Sequence, residues 1–107
     1  MGRLVSIIIP AWQASETLPF TLQSIFSQDY VDKEVIVIDD ASTDNLKEAI
    51  APWLDRVIFR RLPENSGPQK TRNAGFREAH GDYLIFCDAD LVYLDKSAIS
   101  KLVQTLE

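Results

Sequence analysis

The stretch LIFCDADLVY (84–93) carries an apolar run into two aspartates one residue apart, Asp88 and Asp90. Carboxylates at the mouth of a buried strand repel each other and lose hydration, so they are costly there unless something positive stands between them. A loop leaving a strand can turn two alternate side chains toward one cation. A hard divalent ion with oxygen ligands, Mg²⁺ or Mn²⁺ beside a phosphate, suits such a pair. The competing assignment is a plain turn whose aspartates cap the next helix.

Further residues with chemistry to offer fall in other breaks of the chain. Asp40 follows an apolar run in EVIVIDDASTD (34–44), next to Asp39. A carboxylate there can accept hydrogen bonds from a base or a ribose hydroxyl, or the loop can serve only to cap a helix through Ser42, Thr43 and Asp44. Trp12, in PAW (10–12) after Pro10, can stack on a base or pack on the surface. Lys70 and Arg72 stand just inside a helix start, where an anion can be held, or are free surface charge. His80 reads as a helix C-terminal residue facing the dipole, and Cys87 as a core residue at a strand end.

These residues need a frame, and the hydrophobic pattern supplies one. LVSIII (4–9), EVIVID (34–39), RVIFRR (56–61) and YLIFCD (83–88) read as parallel strands. The first, second and fourth are nearly continuous apolar runs, as expected of strands covered on both faces. Between them, Leu18, Leu22, Ile25 and Phe26 share one helical face, with Thr17 as the expected cap. Leu46, Ile50 and Leu54 repeat at helical spacing, with Ser42 or Thr43 as cap and Pro52 ending or kinking the helix. Pro68 opens a third helix that Gly81 is expected to close, and a fourth begins near Asp95 or Ser97. Strand–helix alternation of this kind predicts an α/β fold, a Rossmann-like three-layer αβα arrangement with a mainly parallel sheet. The order 3-2-1-4 is taken from the usual half-Rossmann arrangement. It brings PAW, the Asp39–Asp40 pair and the Asp88–Asp90 pair to one rim, at the carboxyl ends of the strands where ligands bind.

Composition narrows the partners. The chain has 107 residues, 46% hydrophobic and 25% charged, which suits one globular domain. A net charge of −5 argues against a nucleic-acid partner. Six of the eleven basic residues lie between Arg56 and Arg77, which suggests a small anionic ligand. One cysteine rules out an internal disulfide and suits a reducing compartment. No apolar run is long enough to span a membrane, and the start has no signal-peptide cleavage site. The expected location is cytoplasmic, with the inner face of the membrane as an alternative for a longer parent protein. The start also fits the Met-Gly-x-x-x-Ser pattern of myristoylation through Gly2 and Ser6, although Ser6 already lies in the first strand.

Taken together, the motifs resemble the family-2 glycosyltransferases of the GT-A fold, which use nucleotide-sugar donors and invert the sugar carbon. VSIIIPAWQASETLPFTLQSIFSQDY is similar to that family's opening strand, nucleotide loop and first helix. EVIVIDDASTD resembles its second strand and diaspartate loop, and ENSGPQKTRNAGFREAHGDYLIFCDAD carries its later motifs in order. The resemblance implies that Pro10 and Trp12 flank the base, with Trp12 where Tyr is usual and Gln13 where Asn is usual. It implies that Asp40 bonds the base, usually uracil, while Asp39 supports the loop. Arg72 would contact base or diphosphate, with Lys70 the weaker candidate. Asp88 would bind ribose or lie near the metal, and Asp90 would coordinate Mn²⁺ or Mg²⁺ against the diphosphate.

The resemblance also implies a single domain, 1–107, forming the nucleotide-binding half of a GT-A domain. The acceptor half and its catalytic base would lie beyond residue 107, so the chain alone is expected to bind nucleotide weakly and transfer nothing. The fourth strand has no later strand to cover it, which makes a homodimer through that edge an expectation. Three other classes share features with the sequence. DADLV also fits the D-x-D-x-V pattern of haloacid-dehalogenase-type phosphatases, but they carry it after the first strand. A phosphoaspartate receiver would need an acidic pair where PAW stands. A non-catalytic nucleotide-binding or assembly module would keep Asp40 and Arg72 without an acceptor site.

Overall fold

Uninterrupted Val and Ile runs, too apolar to face water on either side, form the centre of the sheet. The computed structural model describes residues 3–107, so the Gly2 of the myristoylation pattern lies outside the described residues. The strands are β1 (Val5–Ala11), β2 (Lys33–Asp39), β3 (Val57–Arg61) and β4 (Tyr83–Phe86). All pair in parallel in the order β3-β2-β1-β4, as expected.

The helices are α1 (Leu18–Phe26), α2 (Leu46–Ala49), α3 (Pro68–Glu78) and α4 (Ala98–Leu106). Val5, Ile7 and Ile9 of β1 join Val35 and Val37 of β2 on one face, packed with Leu18, Leu22 and Ile25 of α1 and with Ile99 and Val103 of α4. Ile8, Ile36 and Ile38 point the other way, with Ala74 and Leu84 against them. Alternation along each strand thus makes two apolar layers, and α3 closes the second. Right-handed crossovers put the β1–β2 connection on one face and the β3–β4 connection on the other. The chain therefore diverges between β1 and β4, leaving a crevice above their carboxyl ends. Among the described residues no helix is long and apolar enough to cross a membrane.

Several local expectations change in the fold. Pro52 does end α2, at Ala49, and a short 3₁₀ turn, Ala51–Trp53, follows. Neither Ser42 nor Thr43 caps α2; Asn45 occupies the cap position at φ 61° without a side-chain bond. Thr17 precedes α1, but its hydroxyl donates to the Ala89 carbonyl and accepts no N–H from the helix end. Gly81 does not close α3, which ends at Glu78. It is needed because a Cβ there would lie 2.7 Å from the backbone nitrogen of Ser6. β4 is only half-buried, because it borders β1 on one side and, among the described residues, no strand covers the other. His80 bonds Glu34 through both its backbone N–H and its ring, where a role at a helix end was expected.

Candidate functional site

A cleft of about 420 Å³ opens at the carboxyl ends of the strands. Pro10, Ala11 and Trp12 enter it from β1, Asp40 from β2 and Asp88 from the segment after β4. Asn65, Gly67, Pro68, Thr71 and Arg72 form its remaining wall, at the start of α3. Five residues singled out in the sequence, Pro10, Trp12, Asp40, Arg72 and Asp88, therefore line one cavity although they span nearly the whole chain.

The aromatic wall is held by cross-bonding between two loops. Trp12 is 58% exposed, its side chain free to meet a flat ligand. The next residue, Gln13, has φ 54°, and its N–H donates to the Ser42 hydroxyl at 2.9 Å. Its side-chain oxygen accepts the Thr43 N–H at 2.6 Å, and the Ser15 N–H donates to Asp44 Oδ2 at 2.9 Å. The other Asp44 oxygen, Oδ1, is buried without a partner. Ala41 and Asn45 also take positive φ, so backbone strain concentrates in these loops, as it does where a fold must aim particular groups.

The two adjacent aspartates have different surroundings. Asp39, the last residue of β2, points into the protein beneath the cleft and is 1% exposed. Its Oδ1 accepts the Ser42 N–H at 2.9 Å and its Oδ2 takes the Arg61 guanidinium at 2.7 Å. This is the loop support that the resemblance implied, and it keeps Asp39 off the cavity wall. Asp40 reaches across the cleft, where its oxygens accept the N–H groups of Ser66 and Gly67 at 2.7 and 2.9 Å. A buried carboxylate is thereby hydrogen-bonded close to the positive end of α3. Each oxygen keeps a lone pair that a base N–H could use.

Lys70 is not part of the cavity. It borders a separate groove with Leu62, Ser66, Asn73, Ala74 and Arg77. Helical phase is the reason: Pro68, Thr71 and Arg72 share a face at i, i+3 and i+4, and residue 70 falls off it. Asp90 is exposed in the turn closed by the Leu91 N–H bonding the Asp88 carbonyl, and does not line the cavity. Ala11, Asn65, Gly67, Pro68 and Thr71 are the lining residues that sequence reasoning did not pick out as site residues. A signal was there, since Thr71 lies three residues after Pro68, on the same helical face as Arg72.

Among the described residues no three His, Cys, Asp or Glu side chains group closely enough to hold a metal ion by themselves. The exposed Asp88 and Asp90 carboxylates are engaged by no basic side chain among the described ion pairs. Two free carboxylates with no third fit Mg²⁺ or Mn²⁺, which take one or two carboxylates and complete their shell with water and ligand phosphates. The aspartates follow β4, not β1, which separates this arrangement from the phosphatase pattern.

Cys87 and Tyr93 lie behind the Asp88 turn. Burial pushes the Cys87 thiol up to about 11, despite an opposing hydrogen bond with Tyr93. Burial likewise raises the Tyr93 phenol to about 12. Neither is a poised nucleophile or base at neutral pH.

Known proteins share both sequence and shape with this chain. It is 41% identical over 90 residues to an uncharacterized glycosyltransferase of Haemophilus influenzae, covering 81% of this chain and 36% of that protein. It is 34% identical over 107 residues to the putative teichuronic acid biosynthesis glycosyltransferase TuaG of Bacillus subtilis, covering 97% and 41%. The chain therefore spans well under half the length of these relatives. Among solved structures, the mannosyltransferase PcManGT of Pyrobaculum calidifontis, in complex with GDP-Man and Mn²⁺, superposes with a TM-score of 0.89 at 26% identity. The match covers 99% of this chain and 33% of that one. S. aureus TarS 1-349 in complex with UDP-GlcNAc superposes with a TM-score of 0.86 at 28% identity, covering 96% and 31%. The model of Glycosyl transferase family 2 matches residues 6–107, and with the GT-A-type sheet and its rim cleft in place, the chain belongs to that family.

Proposed function

We propose that this chain is the donor-binding half of an inverting glycosyltransferase, which takes a nucleoside-diphosphate sugar of the uridine class and passes the sugar to an acceptor hydroxyl. The observation that carries the reading is the meeting, in one cleft, of an aromatic face, a buried carboxylate, a guanidinium and a rim carboxylate, from Trp12, Asp40, Arg72 and Asp88. Relatives named as glycosyltransferases, and neighbours solved with UDP-GlcNAc or with GDP-Man and Mn²⁺, support the substrate class.

In this reading Trp12 stacks on the base and Asp40 accepts a base N–H through its remaining lone pairs. Trp12 and Asp40 together suit a base with a ring N–H on its pairing edge, as uracil, thymine and guanine have. Arg72 faces the diphosphate, where a guanidinium suits an anion. Asp88 and Asp90 alone would repel it, and they are the residues that would hold a divalent ion, Mn²⁺ or Mg²⁺, beside the diphosphate. Such an ion supplies charge neutralisation to the departing nucleoside diphosphate. A single displacement by an acceptor hydroxyl inverts the sugar carbon. The base that takes the hydroxyl proton belongs to the part of the enzyme that the relatives carry and this chain does not span.

Calorimetric titration with UDP, GDP, CMP and dTDP, each with and without Mn²⁺, tests the reading on the wild type and on Asp90→Ala and Trp12→Ala. UDP-selective binding, strengthened by Mn²⁺ only when Asp90 is present and weakened by Trp12→Ala in either condition, is expected. Binding indifferent to both substitutions would overturn the residue roles. Nucleotide binding without any metal effect would favour a non-catalytic nucleotide module instead.

A further inference from the structure

The helix α1 was recognisable by its apolar stripe, yet it also carries a polar one. Thr17, Thr21, Ser24 and Gln28 follow one another at i, i+4, i+7 and i+11, along a single face of α1 and its flanks. All four bond the main chain of one distant segment. The Thr17 and Thr21 hydroxyls both donate to the Ala89 carbonyl, each at 3.0 Å. The Ser24 hydroxyl accepts the Tyr93 N–H at 3.0 Å. The Gln28 amide donates to the Asp95 carbonyl at 2.7 Å and accepts the Ile99 N–H at 3.0 Å.

From Cys87 to Lys96 the chain forms no strand or helix, so its backbone polar groups must find partners elsewhere, and α1 provides them. Ala89 is the residue between the two candidate metal aspartates. Two hydroxyls converging on its carbonyl fix the peptide plane that joins Ala89 to Asp90, and with it the directions in which Asp88 and Asp90 leave the turn.

We propose that Thr17 and Thr21 are positioning residues for the divalent cation: by holding the Ala89 carbonyl they set the separation and aim of the Asp88 and Asp90 carboxylates. Neither threonine lines the cleft. Their effect belongs to the metal-dependent part of nucleoside-diphosphate affinity and not to the part contributed by Trp12 and Asp40. This inference rests on the donor-site reading above.

The test compares wild type, Thr17→Val/Thr21→Val, Thr17→Ser/Thr21→Ser and the single Thr17→Val, whose site is exposed and leaves the core intact. Each is titrated with UDP alone and with UDP plus Mn²⁺. Hydrogen exchange of the 89–93 amides is followed without nucleotide. The double valine variant is expected to bind UDP alone as wild type does, to lose about tenfold of its Mn²⁺ enhancement, and to exchange faster at 89–93. The serine variant keeps the hydroxyls and should restore both, and Thr17→Val should fall between. Full Mn²⁺ enhancement in the valine variants, or unchanged exchange at 89–93, would overturn the inference and leave the donor site standing. A wild type whose UDP binding ignores Mn²⁺ would overturn the metal reading and this inference with it. An equal loss of binding with and without Mn²⁺ would assign the threonines to general stability and overturn the positioning role.

Discussion

Arg61 on β3 closes on Asp39 of β2 at 2.7 Å, and the two residues are register partners at the carboxyl ends of their strands. The pair explains how the sheet tolerates an almost fully buried carboxylate beneath the cleft. One Asp39 oxygen takes the guanidinium and the other holds the Ser42 N–H, so the loop beside Trp12 hangs from this contact.

Arg61→Met therefore strands a buried carboxylate. The expected cost is about 1–3 kcal/mol, less than for a fully buried pair because half of the arginine side chain is in water. Urea unfolding measures it, with Arg61→Lys expected to recover part of the loss. A midpoint unchanged in Arg61→Met would mean that water alone satisfies Asp39.

Gly81 passes so close to β1 that a methyl group would meet backbone atoms of both Ser6 and Leu4. Neither of those main-chain atoms can swing aside as a side-chain tip would. Gly81→Ala is expected to cost about 1–3 kcal/mol and to lower the thermal midpoint by several degrees. Thermal melts followed by circular dichroism decide it, and an unchanged midpoint would show that the turn before β4 can shift outward.

Glu34 lies at the opposite end of the sheet from the cleft. Burial pushes its carboxyl up, but hydrogen bonds from the Ser6 hydroxyl and from the His80 backbone and ring outweigh that effect and hold it below its ordinary value. A carboxylate lowered by folding stabilises the fold fully above its unfolded-state value, near 4.5. That stability is lost as pH falls through the lowered value. Glu34→Gln should thus be less stable than wild type by about 1 kcal/mol at pH 7, the gap narrowing as pH drops toward 3. Parallel urea curves at pH 7, 5 and 3 test this, and a gap that widens in acid would contradict it.

Cys87 is buried with its thiol raised to about 11, so iodoacetamide should leave the native chain unmodified at pH 7.5. Mass spectrometry should find full alkylation within the same time only after denaturation. Rapid native labelling would mean that the segment behind the Asp88 turn opens readily.

The sequence by itself determined the layers and the rim. Short continuous Ile and Val runs are the pattern of strands covered on both faces, and alternation with helical segments leaves a parallel sheet with its ligand edge at the carboxyl ends. Trp12, Asp40, Arg72 and Asp88 could be singled out because each stands near a strand end or a helix start, whereas Pro10, which lies inside β1, is named only through the family resemblance. Tertiary structure decided which of two neighbouring aspartates turns inward, since Asp39 faces down only where Arg61 of the next strand meets it. It also decided the exclusion of Lys70, although helical phase offered a hint. The bonds from Thr17 and Thr21 to Ala89 span 72 and 68 residues, and no local pattern encodes them. Periodicity reports how a segment presents itself to a core. Which loop receives its hydroxyls depends on where the crossovers return the chain.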